Sequence, residues 1–302
     1  MPFAVLVKKM TVFEILNWSA HYLKDHRVEN PRLNAELLLA HTLSLSREGL
    51  YVRLQNLIRK EEKETVEGLI KRRISGEPLQ YILGHQEFWS IDFQVDSRAL
   101  IPRPETELLV EQALLILSEN PFNRPPFVLE IGTGSGAVAI ALAKEAKDIF
   151  MVASDISRDA LRLAKENAAS SGFLHQLKFV NGNLFDPFRL LREREPFDLI
   201  LSNPPYIPFP EIEGLDKEVR DYEPIIALDG GEDGLTFYRD IISQAPLYLK
   251  KGGWLLLEIG QAQGGKVSEL IDKRGDFSMP QLLKDLSGLE RMVKAQKKES
   301  SK

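Results

Sequence analysis

Phe127-Val-Leu-Glu-Ile131 runs into Gly132-Thr133-Gly134-Ser135-Gly136, and the Ala-rich stretch Val138 to Lys144 comes next. A short, mostly apolar run that ends in glycines reads as a buried strand, and the alanine-rich stretch reads as a helix. The glycines between them permit a tight turn and a close approach of backbone to a ligand. The helix N-terminus adds free N–H groups. A second strand, Ile149 to Ser154, ends at Asp155, which lies 19 residues past Gly136. That is close to the ~20 residues expected of a carboxylate that reaches ribose hydroxyls. The segment 127–155 therefore reads as a site for an adenosine-type cofactor, held by Gly132, Thr133, Gly134, Ser135, Gly136 and Asp155.

The glycine pattern admits two cofactors. Gly132, Gly134 and Ala137 satisfy the dinucleotide form of the motif, and residues 132–136 equally fit the loop of S-adenosylmethionine enzymes. Downstream segments bear on the choice. The strand Leu177 to Val180 leads to Asn181-Gly-Asn183-Leu184-Phe185, where an Asn can accept from an adenine amine and donate to a ring nitrogen. The strand Phe197 to Leu201 then delivers Asn203-Pro204-Pro205-Tyr206 to the same edge of the sheet. Two prolines fix two φ angles and donate no backbone hydrogen bond, and Pro204 pushes Asn203 out of the α region. The Asn203 amide oxygen and the Pro204 carbonyl can together hold both N–H groups of a planar amine, and Tyr206 offers a flat face. A nicotinamide enzyme has no need of such a clamp, whereas a methyltransferase does.

Strand–helix alternation through this half predicts an α/β, Rossmann-like domain with a mostly parallel sheet. Gly252-Gly253 is expected to turn the chain into the strand Trp254 to Ile259. Phe277 to Leu283, Asp285-Leu-Ser-Gly288 and Leu289 to Val293 are expected to form a closing antiparallel hairpin. From Val293 onward the pattern fades into a polar tail.

Upstream, the pattern is helical. Thr11 can cap a helix carrying Val12, Ile15, Leu16 and Tyr22. Asn30-Pro31 suits an N-cap followed by the first helical position, and residues 61–73 form a charged helix with Val66, Leu69 and Ile70 on one stripe. Tyr81 to Ile101 reads as a short hairpin between domains. In Ile101-Pro-Arg-Pro-Glu-Thr-Glu107, Pro104 can start a helix with acidic side chains in its first turn, a reading preferred over catalysis by Arg103 or Glu105. The expected division is a helical domain over 1–80, a hairpin linker over 81–103, the α/β domain over 104–295 and a tail over 296–302.

Bulk properties narrow the class. The chain has 302 residues, 43% of them hydrophobic and 27% charged, which suits about two globular domains. It has no cysteine, which excludes disulfides, thiolate metal sites and a cysteine nucleophile, and accords with a reducing cytoplasm. Nothing approaches the ~20 apolar residues of a membrane span. Net charge is −5, and no direct nucleic-acid contact is expected. Residues 1–80 carry 13 basic against 10 acidic residues, a net +3, and the remainder carries a net −8. The five histidines, at 21, 26, 41, 85 and 175, lack metal-ligand spacing, so no metal is expected. Gly260-Gln-Ala-Gln-Gly-Gly265-Lys266-Val267 nearly matches a phosphate-binding loop but lacks the hydroxyl for Mg²⁺, and reads as a turn with a solvated lysine.

Taken together, Asn30-Pro-Arg-Leu-Asn-Ala-Glu-Leu-Leu-Leu-Ala-His41, Gly76-Glu-Pro-Leu-Gln-Tyr-Ile-Leu-Gly84, Ile101-Pro-Arg-Pro-Glu-Thr-Glu107, the glycine loop, Asp155 and Asn203-Pro-Pro-Tyr206 resemble the release-factor glutamine methyltransferases, HemK or PrmC. The resemblance continues through Tyr222-Glu-Pro224, Asp229-Gly-Gly-Glu-Asp-Gly-Leu235 and Asp285-Leu-Ser-Gly-Leu-Glu-Arg291, almost the whole chain. The tetrapeptide alone is shared with DNA adenine methyltransferases. The helical domain with the Pro-Arg-Pro-Glu segment is far more specific.

The resemblance implies a seven-stranded methyltransferase sheet and transfer of a methyl group from S-adenosyl-L-methionine, leaving S-adenosyl-L-homocysteine. The acceptor it implies is the side-chain nitrogen of the Gly-Gly-Gln glutamine in class 1 peptide release factors. Asn203 is expected to aim the amide and to border the cofactor. Pro204 is expected to be the second acceptor, with Pro205 rigidifying the turn and Tyr206 as packing wall. Asn183 and Leu184 are expected to bind the cofactor, although similar proteins often carry Asp where Asn183 stands. A cytoplasmic monomer is the expectation. The alternatives are glutamine methylation of a ribosomal protein, N6-adenine methylation of DNA and, in another class, a nicotinamide-dependent oxidoreductase.

Overall fold

The computed structural model describes residues 10–119, 124–146, 148–192, 194 and 196–299. They fall into two compact units. One holds the described residues up to Gly84 together with Lys217–Tyr222, and the other holds His85–Asp216 and the described residues from Glu223 onward.

The first unit is helical: α1 (Val12–Asp25), α2 (Pro31–Thr42), α3 (Arg47–Val52), α4 (Lys60–Ile74) and α5 (Leu79–Leu83). Thr11 caps α1 through a reciprocal capping box, accepting from the Glu14 amide at 3.2 Å while Glu14 accepts from the Thr11 amide at 2.8 Å. Asn30 is the N-cap of α2 and Pro31 its first residue, as expected, although Asn30 sits in the left-handed region at φ 46° and makes no side-chain cap bond. Ile15, Leu16, Leu38, Leu39, Val66 and Ile70 form the buried core. Lys217–Tyr222 belongs to this unit through Arg73, which pairs with Glu218 at 2.8 Å, and Ser75, whose hydroxyl lies 3.0 Å from that of Tyr222.

In the second unit, β1 (His85–Phe88) and β2 (Ile91–Gln94) form a two-stranded hairpin. The hairpin starts later than the sequence suggests, because Leu79–Leu83 closes a helical turn on the Gly84 C-cap. Its turn is Trp89-Ser90, both at φ 52°, which is the backbone that a tight two-residue hairpin demands. Pro104–Thr106 forms a short 3₁₀ turn leading into α6 (Glu107–Glu119). Next come β3 (Phe127–Ile131), α7 (Ala137–Glu145), β4 (Phe150–Asp155), α8 (Arg158–Ser170), β5 (Leu177–Asn181) and β6 (Phe197–Ser202). After α9 (Lys217–Tyr222) come α10 (Thr236–Gln244), β7 (Leu249–Glu258), α11 (Gly264–Arg274), β8 (Gln281–Lys284) and β9 (Glu290–Gln296).

The sheet order is β5-β4-β3-β6-β7-β9-β8, parallel from β5 to β7, with β9 and β8 antiparallel. All six residues of β6 are buried, which requires cover on both faces. Chain order reverses between β3 and β6, and that switch point is where ligands sit in such sheets.

Two sequence expectations shift here. Gly252 and Gly253 lie inside β7 at an irregularity, not before it. The register jumps from Phe197↔Leu249 to Leu199↔Trp254, and a Cβ on Gly253 would stand 3.0 Å from the Asp198 carbonyl. The tail also begins later. Val293 to Gln296 pair with β7, and the Lys297 amide donates to the Gly253 carbonyl at 2.8 Å, because β9 fills the slot between β7 and β8. Residues 300–302 lie outside the described residues.

Candidate active site

The ends of β3, β6 and β7 lie side by side, since Ile131 pairs with Ser202 and Ser202 with Leu257. The loops that leave β3 and β6 face one cleft, lined entirely by residues of the second unit.

The glycine loop leaves β3 under tight control. The amides of Gly132 and Thr133 both donate to the Ser154 carbonyl, at 2.8 and 2.9 Å. Gly132 and Gly134 have φ of 76° and 56°, a region costly to residues with a Cβ. Asp155 ends β4 and accepts from the Gly134 amide at 2.9 Å and the Ser157 amide at 2.8 Å. Burial pushes its carboxyl pKa up, and those amides hold it back. Gly132, Thr133, Gly134, Ser135, Asp155, Asn183 and Leu184 all line the cleft. Leu184 is held there at φ 46°, a strained backbone for a leucine. Gly136 does not line it. That residue is the left-handed N-cap of α7, and a Cβ there would meet Ala164 of α8 at 3.1 Å, which accounts for a glycine at this position.

Asn203, Pro204 and Pro205 line the cleft at the end of β6. The Asn203 Nδ2 donates to Thr106 Oγ1 at 3.2 Å, which leaves Oδ1 as the end free to accept. Tyr206 is not among the lining residues. Its side chain packs on the sheet core, and burial pushes its phenol up to about 12, so it stays neutral. The carbonyl of Tyr206 accepts from Gln263 Nε2 at 2.8 Å. Gln263 belongs to the stretch expected to be a plain turn. It also accepts from the Gly260 amide at 3.0 Å and so ties the end of β7 to the Asn-Pro-Pro-Tyr segment, while Lys266 is exposed on α11.

Asp229-Gly-Gly-Glu-Asp-Gly234 backs the same segment. Gly230 donates to the Ile207 carbonyl at 2.9 Å, and a Cβ on Gly230 would fall 2.8 Å from the Tyr206 Cα.

Several lining residues were not legible as site residues. Arg98 to Arg103 and Thr106 form one wall. Arg98 pins it, pairing with both Asp96 and Glu166 of α8. Arg103 is engaged by Glu223, a buried carboxylate that also accepts from the Ile101 amide at 3.2 Å, so the cation is neutralised where it stands. Asn167 of α8 bonds Gln94 through amide and carbonyl and donates to the Ser135 carbonyl at 2.9 Å, joining hairpin and glycine loop. Glu130 is buried on the lining and accepts from Thr133 Oγ1 at 2.7 Å, and burial pushes its pKa up to about 8. The one available signal was a charge inside an apolar strand. Leu129-Glu130-Ile131-Gly132 and Leu257-Glu258-Ile259-Gly260 repeat the same four residues at two strand ends.

With this geometry the known relatives can be placed. The description "PrmC N-terminal domain" matches residues 14–84, and "Methyltransferase domain" matches residues 127–288. A release factor glutamine methyltransferase of Geobacter sulfurreducens is 44% identical over 94% of this chain and 95% of its own. The chain belongs to the release factor glutamine methyltransferase family. Another member, from Bacillus cereus, is 36% identical over 95% of this chain and 99% of its own. Among solved structures, the hMettl16 catalytic domain superposes with a TM-score of 0.55 at 13% identity, covering 82% of this chain and 87% of that one, a likeness of fold. Family membership and the sheet order agree on a methyltransferase domain. Among the described residues, no group of His, Asp and Glu gathers as a metal site, and no helix is long and apolar enough to cross a membrane.

Proposed function

We propose that this chain methylates the side-chain amide nitrogen of the glutamine in the Gly-Gly-Gln motif of class 1 peptide release factors, in the cytoplasm, with S-adenosyl-L-methionine as donor. The observation that carries the reading is the Asn203 amide, whose Nδ2 is taken up by Thr106 while Oδ1 remains available beside the Pro204 carbonyl.

The cleft fits the donor. The glycine loop offers backbone at positive φ, and Asp155, Asn183 and Leu184 line the same cleft, where Asp155 would meet the ribose hydroxyls and Asn183 and Leu184 would hold the adenine. Glu130 is a buried carboxyl that a cationic ligand end would ionise. When bound, S-adenosylmethionine supplies an electrophilic methyl group on a sulfonium.

The chain's own residues then have to aim a poor nucleophile. An amide nitrogen is delocalised, and holding its two N–H groups on Asn203 Oδ1 and the Pro204 carbonyl presents one face of the nitrogen. Proximity and orientation supply most of the acceleration. No base is needed before attack. The Arg103–Glu223 pair keeps a free cation away from a centre that loses positive charge. Tyr206 supports the clamp from behind.

Incubation with S-adenosylmethionine and an unmethylated release factor, followed by peptide mass mapping, is expected to show a gain of about 14 Da on the Gly-Gly-Gln glutamine. Asn203→Ala is expected to lose about 100-fold in kcat while S-adenosylhomocysteine affinity stays within about threefold. Methylation elsewhere, or an unchanged Asn203→Ala rate, overturns the reading.

A further inference from the structure

We propose that Asn167 is a positioning residue for the methyl donor. Its one side chain holds both the glycine loop and the strand that leads into the 98–103 wall, and so keeps the two closed on the cofactor. This rests on the S-adenosylmethionine reading above and deepens it.

Asn167 lies on α8 and is buried at 2% exposure. A carboxamide has one acceptor oxygen and two N–H donors. Here the oxygen and both donors are used, and every partner is main chain. Oδ1 accepts from the Gln94 amide at 2.8 Å. Nδ2 donates to the Gln94 carbonyl at 3.0 Å and to the Ser135 carbonyl at 2.9 Å. Toward Gln94 the side chain acts as a neighbouring strand would, taking one N–H and giving another back. A carboxylate of the same shape has no proton to give, and a hydroxyl has only one.

The partners stand on the two sides that enclose the donor. Ser135 lines the cleft between Gly134 and Gly136, both at positive φ. Glycines leave the backbone on either side of it free to turn, so a tether from outside the loop is what fixes the Ser135 carbonyl. Ser154 and Asp155 already hold the amides of Gly132, Thr133 and Gly134, at the start of the loop. Gln94 ends β2 and does not itself line the cleft, while Arg98, a little further on, begins the wall. That wall returns to α8, where Arg98 pairs with Glu166 at 2.8 Å and Ala99 is buried with Ala160 and Leu163. A Cβ on Gly134 would stand 4.0 Å from the Cβ of Ala99, so wall and loop adjoin.

Without the carboxamide, the Gln94 amide and the Gln94 and Ser135 carbonyls lose their partner together. Loop and wall then loosen, and the donor escapes faster. Coupling of this kind runs both ways, so a ligand that holds the loop also slows local opening at Gln94.

The experiment uses the full chain as wild type, Asn167→Ala and Asn167→Asp. S-adenosylhomocysteine is titrated calorimetrically, and kcat and KM are measured with S-adenosylmethionine and an unmethylated release factor. Hydrogen exchange of the Gln94 amide is followed by NMR with and without S-adenosylhomocysteine. Both variants are expected to lose about 30-fold in S-adenosylhomocysteine affinity and to raise KM for S-adenosylmethionine by a similar factor, with kcat at saturating donor and KM for the release factor within about threefold. In wild type, saturating S-adenosylhomocysteine is expected to slow Gln94 exchange at least about fivefold, and in Asn167→Ala, equally saturated, by less than about twofold. A purely structural Asn167 would lower the melting temperature and leave both the affinity and the ligand effect on Gln94 unmoved. Unmoved affinity, or a fall in kcat in place of the rise in donor KM, overturns the proposal. If neither variant folds, wild-type exchange decides, and a Gln94 amide indifferent to S-adenosylhomocysteine overturns it. A wild-type chain that binds no S-adenosylhomocysteine overturns the donor reading itself.

Discussion

Glu130 and Glu258 are carboxyls placed where solvation is poor, and both are pushed up, to about 8 and about 7. For a group whose folded pKa lies above its unfolded value, the folded state holds the proton more tightly. The stability it contributes is fully present below about 4.5, the unfolded value, and is lost as pH rises to about 8. Urea unfolding of the ligand-free protein should therefore give a lower free energy at pH 8 than at pH 5.5. Glu130→Gln keeps an acceptor for Thr133 and carries no charge, so it should regain about 2 kcal/mol at pH 8 and flatten the slope. An unchanged slope in that variant would show that Glu130 titrates normally. A cationic ligand should ease the same cost, so S-adenosylmethionine should stabilise the protein more at pH 8 than at pH 5.5.

At the scale of elements, three loops share the work of holding Asn203-Pro-Pro-Tyr206. The prolines set the local backbone. The glycines at 230 and 234 let the next loop lie against it, and Gln263 ties it to the end of β7. Gly234 has φ 72°, and a Cβ there would stand 2.4 Å from the Tyr206 carbonyl oxygen and 2.7 Å from Gln263 Nε2. Gly234→Ala should cost about 2–3 kcal/mol and lower kcat more than cofactor affinity, read by thermal unfolding beside calorimetry. Both parts of the motif were legible from local chemistry, as were the strand–glycine–helix unit and the parallel sheet, because each is written in contiguous residues. The partners were not. Thr106 meets Asn203 across 97 residues, and Glu223 meets Ile101 across 122. Contacts of that reach depend on strand order and register, which local periodicity does not carry. The Gly252-Gly253 irregularity was misplaced for the same reason, since it lies inside β7 where the register to β6 shifts.

For the whole molecule, the cleft belongs entirely to the second unit. A chain beginning at His85 should bind S-adenosylhomocysteine within about tenfold of the full chain and methylate a short peptide containing Gly-Gly-Gln. Its rate on an intact release factor should fall by more, because the helical unit is the remaining candidate for substrate selection. Calorimetry and mass mapping on both substrates check this, and equal losses on peptide and protein would remove selection from the helical unit.

The short helix Lys217–Tyr222 makes its contacts with Arg73 and Ser75, although the chain reaches it only after leaving β6 and returns from it straight to Glu223. Neither unit is therefore a single cut of the sequence. Anyone exchanging the helical part between relatives would have to transplant two separate pieces. Inheritance faces the same constraint, since a recombination crossover near residue 84 would part the helices from one of their own packing partners.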